Sequence, residues 1–344
     1  MPSGETEGSL TRPEGAETSL NITPEQDAAF RAIAELNAVP LESFATVKRF
    51  EAAGDLFPFL LSHPLSSQRW AFRGQENAAW GLKSSIERLK EDYSNSFRME
   101  AEEYVRKAFR RRAHHYIGYL PREREELEWL ALMRHHDAPT RLLDWTKSPY
   151  VAMFFALAKA GEDQTSAVWA IDINAVKGEA VRLLVENGVI HDPVGPDFSF
   201  SDPDVFNRVF LQDTNPSIVA PVQPLRMNER ATSQQSLFLC PNTLSLGFEF
   251  GLKQVLRSDR DRVGASRGER KPEDEPSNPE RLFKLKIAPQ ARSEVLRELH
   301  RMNINYATLF PGLDGFARSL GTSVTISGFD QLFFGGAGVF DSLV

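Results

Sequence analysis

Two short stretches set strongly polar groups among apolar ones, and any fold of this chain has to bury both. The first is Trp70-Ala71-Phe72-Arg73-Gly74-Gln75, followed by Trp80 and Leu82; the second, about sixty residues later, runs from His135 through Asp137, Thr140, Arg141 and Asp144 to Trp145 and Thr146. A buried arginine or aspartate without a partner is costly, so such groups end up paired or at a functional site. The two stretches are therefore expected to meet in space.

The rest of the chain supplies ordinary means for a core. At 344 residues with 41% hydrophobic content it suits one large domain or two smaller ones. The net charge of −7 argues against non-specific nucleic-acid binding, which needs a broad basic face. No stretch of about 18 apolar residues is present, so no membrane partner is expected. The first residues lack the basic start and apolar run of a signal peptide, and cytoplasmic location in a bacterium-like cell is the expectation. The single cysteine, Cys240, excludes an intramolecular disulfide and reads as a small buried hydrophobe.

Along the chain, residues 1–22 read as a disordered tail and 23–66 as a separate N-terminal helical segment. Within it, Thr23-Pro24-Glu25 starts a helix. Trp70 to Arg73 is a strand ended by Gly74, with Trp80 to Leu82 as its hairpin partner. Phe97–Tyr116 and Arg122–His136 read as helices, the latter stopped by Pro139. Leu142–Thr146 is extended or irregular, and Ser148-Pro149 opens an apolar helix. Ala167–Ile173, Ile218–Pro221, Ser236–Leu239 and Leu282–Ile287 are strands. Residues 258–281, dense in charge, Pro, Gly and Ser, read as a linker or a mobile surface loop. Ile304–Phe310 is expected to be extended, Gly312–Leu320 to be the last helix, and 323–344 to be a C-terminal extension. The fold class is α+β, a mixed, largely antiparallel sheet with inserted helices.

Several constellations carry chemistry. Arg73 sits at a strand end beside Gly74, which lets backbone approach a ligand; arginine's planar fork suits phosphate or carboxylate, or a salt bridge to Asp144. Arg141 and Asp144, three apart, read as a buried ion pair. Thr146 and Ser148 lie at a helix start whose N–H groups attract anions, beside Trp145. His135, His136, Asp137 and Asp144 invite a metal reading. Adjacent helical histidines point about 100° apart, however, so no metal is expected. Glu229, Arg230, Gln234 and Gln235 precede a strand and read either as cleft lining or as an exposed turn. No Walker loop, dinucleotide fingerprint or Gly-x-Ser-x-Gly elbow occurs.

Taken together these residues resemble the FRG domain, a family named for its Phe-Arg-Gly motif. The resemblance runs through Phe72-Arg73-Gly74-Gln75, Trp80, Leu82, His135-His136 and Pro139 to Thr146, then Ser148-Pro149. It continues through Arg230 with Gln234 to Phe238, and ends at Leu309-Phe310-Pro311-Gly312-Leu313-Asp314-Gly315. Residues 67–322 are assigned to it. Asp137 and Ser236 stand where the family pattern has glycine. The layout is similar to the ADP-ribosyltransferase superfamily, which implies NAD as substrate and a macromolecular target; a role in defence or as a toxin is a guess that no residue of the sequence carries. On that resemblance Arg73, Thr146, Gln234, Gln235 and Glu229 are catalytic candidates. Phe72, Gly74, Gln75, His135, His136, Arg141, Asp144, Trp145 and Ser148 are ligand-binding candidates. A non-catalytic module for a nucleotide or other anionic small molecule is the alternative, and a metal-dependent phosphodiesterase or nuclease the third reading.

Overall fold

The computed structural model describes residues 23–327 except 63, 90–94, 192–194, 196–197, 213–215 and 267–280. The expected tail at 1–22, part of the expected linker and most of the C-terminal extension lie outside these residues. The described strands are β1 (Thr46–Phe50), β2 (Trp70–Gln75), β3 (Leu143–Thr146), β4 (Ser166–Asp172), β5 (Val219–Val222), β6 (Ser236–Pro241) and β7 (Leu282–Ile287). The described helices begin with α1 (Pro24–Ala38), α2 (Ala53–Ser62), α3 (Asn95–Ala113), α4 (Glu126–His135), α5 (Pro149–Leu157) and α6 (Ile173–Glu186). They continue with α7 (Pro203–Phe210), α8 (Glu229–Ser233), α9 (Phe248–Ser266), α10 (Arg292–Arg301), α11 (Tyr306–Leu309) and α12 (Leu313–Ser327).

The N-terminal unit, up to Val39, carries α1. Thr23 caps this helix in a full capping box with Gln26, and Pro24 occupies the first turn, where its missing N–H costs nothing. The second unit starts at Pro40, so residues 40–66 go with the sheet rather than with α1.

In that unit the seven strands form one sheet in the order β1-β7-β4-β2-β3-β6-β5. Only the β1/β7 pairing is parallel. The fold is α+β, with a mixed and mostly antiparallel sheet, as expected. Helices cover both faces. Side chains of α2, α5, α10 and α11 pack with Trp70, Phe72, Phe283 and Leu285 on one, and those of α4, α6, α7 and α9 with Ala71, Trp169 and Leu239 on the other. The period-2 alternation of a strand explains the division, because Trp70, Phe72 and Gly74 point one way while Ala71, Arg73 and Gln75 point the other. Each large apolar side chain buried this way contributes about 1.5–3 kcal/mol.

Four local expectations are corrected. Gly74 does not end β2: the strand runs on to Gln75 because Gly74 and Gln75 pair with Val168 and Ala167 of β4. Trp80–Leu82 forms no hairpin, since β3 and β4 occupy both edges of β2; instead the Leu82 N–H donates to Glu249 Oε1 at 2.7 Å. The charged stretch from 258 continues α9 as far as Ser266. Its buried start (Phe248, Leu252, Val255) nucleates the helix, and further turns then add cheaply. Residues 306–309 are helical rather than extended because Asn305 and Thr308 form a capping box.

Cys240 in β6 is fully buried, and burial pushes its thiol well above the ordinary range. A disulfide-exchange reagent should leave it unlabelled in the native protein and label it once the chain is unfolded. Rapid labelling of native protein would mean that β6 opens.

Candidate functional site

The site forms where two neighbouring strands part. β2 and β3 share a single paired position, Phe72 with Thr146. Beyond it the Arg73 side chain fills the gap, with Nη1 donating to the Asp144 carbonyl at 2.6 Å. A cleft of about 1350 Å³ opens there, walled by the end of β2, the loop after it, α4, β3, α8 and the segment from Tyr306 to Arg318.

Its electrostatics differ from those of the chain as a whole. Eight Lys and Arg side chains and five Asp and Glu side chains line it, although the whole chain carries −7. Asp144 is gripped by Arg134, at 2.8 Å from Nε and 2.7 Å from Nη2 to one carboxylate oxygen. Burial alone would lower the Arg134 guanidinium, but the Asp144 carboxylate outweighs it and holds it above its ordinary value. Among the described residues Arg73 makes no ion pair and holds the Asp144 carbonyl instead. Burial, reinforced by Arg88 and Arg134, brings it down to about 10 against the opposing pull of Asp144, so it stays charged at neutral pH. Arg88 is lowered by burial first and by Arg134 after it; Arg230 is lowered by burial, against the opposing pull of Asp137 and Asp144. His135 is lowered by burial, then by His136 and Arg230, which favours the neutral ring. A divalent cation at Asp137 and Asp144 would face these guanidinium groups, an unfavourable setting.

Two donors in the cleft stand out. Arg73 Nε and Trp145 Nε1 are buried, line the cleft and find no acceptor among the described residues. The other buried side-chain donors without acceptors do not line it. Aromatic surface accompanies them: Trp80 at the rim is 54% exposed and Tyr119 58%, while the Arg230 guanidinium carbon lies 4.6 Å from the centre of the Phe310 ring.

The site candidates read from the sequence divide. Phe72, Arg73, Gly74, Gln75, His135, Asp144, Trp145, Thr146 and Gln234 line the cleft. Within that group, several polar atoms are already spent. Gln75 accepts from Trp169 Nε1 at 2.7 Å and donates to the Gly81 carbonyl at 2.9 Å. Thr146 Oγ1 donates to the Gln234 carbonyl and receives the Ser148 N–H; Gln234 Nε2 donates to the Leu309 carbonyl. Ser148 caps α5 by accepting from the Val151 N–H. His136, Glu229 and Gln235 are exposed and, like Ser148, are not among the lining residues.

Arg141 is corrected most sharply. It is 2% exposed and pairs with Glu102 of α3, not with Asp144. Gly74 is also reassigned. A Cβ there would lie 2.0 Å from the Ala152 carbonyl oxygen, so the backbone that comes close is α5 and not a ligand.

Arg134 and Arg318 were missed, and Arg88, part of the FRG resemblance, was not read as a site residue. Arg134 had a signal in that it stands four residues after Leu130, on the apolar side of its helix. Asp137, where the family pattern has glycine, has φ 58°, the left-handed conformation glycine adopts freely and aspartate tolerates.

The FRG domain model matches residues 68–165, which hold β2, α3, α4, β3 and α5. The chain carries an FRG domain. No curated protein and no solved structure matches the chain. The FRG match takes in Arg73, Arg134 and Asp144, while Arg230, Gln234 and the Tyr306–Arg318 wall come from beyond it. No helix among the described residues is long and apolar enough to cross a membrane.

Proposed function

We propose that the cleft beside the FRG motif binds a nucleotide or a related phosphorylated small molecule through its phosphate. The observation that carries this reading is the pair of buried donors, Arg73 Nε and Trp145 Nε1, that line a cationic cleft without an acceptor of their own. A buried unsatisfied donor costs about 1–3 kcal/mol, and an anionic oxygen relieves that cost. The aromatic groups Trp80 and Tyr119 offer faces for a base.

NAD cleavage or ADP-ribosyl transfer to a macromolecule is the second reading. It is favoured by Asp144, a carboxylate fixed by Arg134 in the same cleft, which suits an oxocarbenium-like centre. Thr146 and Gln234 suit that chemistry less, because their side chains already serve the backbone.

Calorimetric titration with AMP, ADP and NAD tests the binding. The Arg73→Gln protein should bind at least about tenfold more weakly than wild type, the loss expected for a charge-assisted contact, while melting at a similar temperature. Mass spectrometry of the NAD sample separates the two readings, since released nicotinamide would establish turnover. Absence of heat with all three nucleotides would sink the binding reading.

A further inference from the structure

The cleft has a second wall that the phosphate reading leaves unused. Trp145 packs with Trp169 and Leu239 on one face of the sheet, and Arg73 points to that face. Tyr306, Phe155 and Phe310 also line the cleft, but they pack with Phe72 on the opposite face. The cleft therefore turns around the sheet where β2 and β3 part. At the centre of this wall the Phe310 ring stands 6.0 Å from that of Phe155, nearly perpendicular at 87°, and 5.6 Å from that of Tyr306. Backbone holds it there. The Leu309 carbonyl accepts from Gln234 Nε2 at 2.9 Å, and Gly315 leaves room for the Phe310 carbonyl oxygen where any Cβ would collide. Phe155 and Phe310 are only partly buried. Tyr306 is 7% exposed, and its hydroxyl makes no hydrogen bond among the described residues. A buried tyrosine ordinarily finds a partner for that group. The charges acting on it are those of Arg318 and Glu76, both cleft residues, so the hydroxyl end faces the cleft. Burial, with Glu76 and against Arg318, keeps the phenol protonated, so it can both donate and accept.

We infer that Tyr306, Phe155 and Phe310 form a subsite for a planar ring with a hydrogen-bonding edge, of the class of a nucleobase. The inference rests on the phosphate-binding reading above and gives its ligand a place for the base, in preference to Trp80 and Tyr119, which stand more than half exposed at the rim. Aromatic walls take a flat ring, and one hydroxyl set among them fixes its orientation.

Calorimetry on the full chain with adenosine, guanosine and uridine, which carry a base without a phosphate, tests the subsite beside inorganic phosphate. Wild type should bind at least one nucleoside. Tyr306→Phe should bind it about two- to tenfold more weakly, the loss of one neutral hydrogen bond, with phosphate affinity unchanged. This variant should melt no lower than wild type, because the hydroxyl has no partner to lose. Phe155→Leu, which keeps apolar bulk and removes a ring, should also weaken the nucleoside. Arg73→Gln should show the reverse order, with phosphate weakened more than the nucleoside. Phosphate binding without nucleoside binding, or wild-type nucleoside affinity in both Tyr306→Phe and Phe155→Leu, would overturn the subsite and leave the phosphate reading intact. A lowered melting temperature of Tyr306→Phe would make the hydroxyl structural and overturn it as well. Nucleoside binding without phosphate binding would support the subsite and overturn the phosphate reading. No binding of any probe would overturn both.

Discussion

Gly74→Ala should destabilise the protein by about 3 kcal/mol or more, toward the upper end of what overpacking a core costs. The new methyl would stand 2.0 Å from the Ala152 carbonyl oxygen and 2.6 Å from the Ala156 amide nitrogen, both backbone atoms of one helix. No rotamer change relieves such a clash. Either α5 moves off the sheet, losing the packing of Val151, Ala152 and Ala156 against Phe72, or β2 breaks its pairing with β4 at Val168. Urea unfolding followed by tryptophan fluorescence gives the midpoint, and an unshifted midpoint would refute the close approach. The glycine of the Phe-Arg-Gly triplet is thus a packing residue. Phe72 is core at 1% exposure, and Arg73 alone turns its side chain to the cleft chemistry.

Glu102→Ala should cost about 3–5 kcal/mol, the range for stranding one member of a buried ion pair. Glu102 accepts the Arg141 N–H at 2.8 Å and Nε at 2.7 Å, and both residues are almost wholly buried. Arg141 also donates to the Phe210 carbonyl and, at 3.2 Å, to the Asn242 carbonyl. It therefore ties α3, α7 and the segment after β6 to the start of β3. Without Glu102 the guanidinium is left charged and buried. The double change Glu102→Met with Arg141→Met should recover much of the loss, because an apolar pair of similar size removes the unpaired charge. Equal chemical-denaturation midpoints for wild type and Glu102→Ala would show that the pair carries no such weight.

These two residues also mark where sequence reading succeeds and where it stops. Local signals held up. Thr23 and Ser148 cap the helices that their spacing announces, and β3, β4, β6 and β7 lie close to where β-branched and apolar runs place them. Arg73, Asp144 and Trp145 were legible as residues that would meet, and they do line one cleft, because polar groups within apolar stretches need a reason to be there. Partners across long separations were not legible. Arg141 and Asp144 are close in sequence, but on an extended chain residues three apart point to opposite faces, and their partners are Glu102 and Arg134. Gly74 reads equally as room for a ligand or for a helix, and only α5 in place decides. The part of the cleft lined by Arg230 and Arg318 joins it through tertiary packing, so no local pattern discloses it.

The strand order carries a consequence for how the chain comes together during synthesis. β1 leaves the ribosome long before β7, its partner in the sheet, with Thr46 opposite Phe283. β7 also pairs with β4, and so supplies the link between the first strand and the rest of the sheet. Until Leu282–Ile287 emerges, both β1 and one edge of β4 lack their neighbour. Such a pairing closes a long loop and forms late and slowly. The nascent protein is then a set of helices and central strands holding an open sheet edge, the kind of surface that chaperones shield and that neighbouring nascent chains can capture.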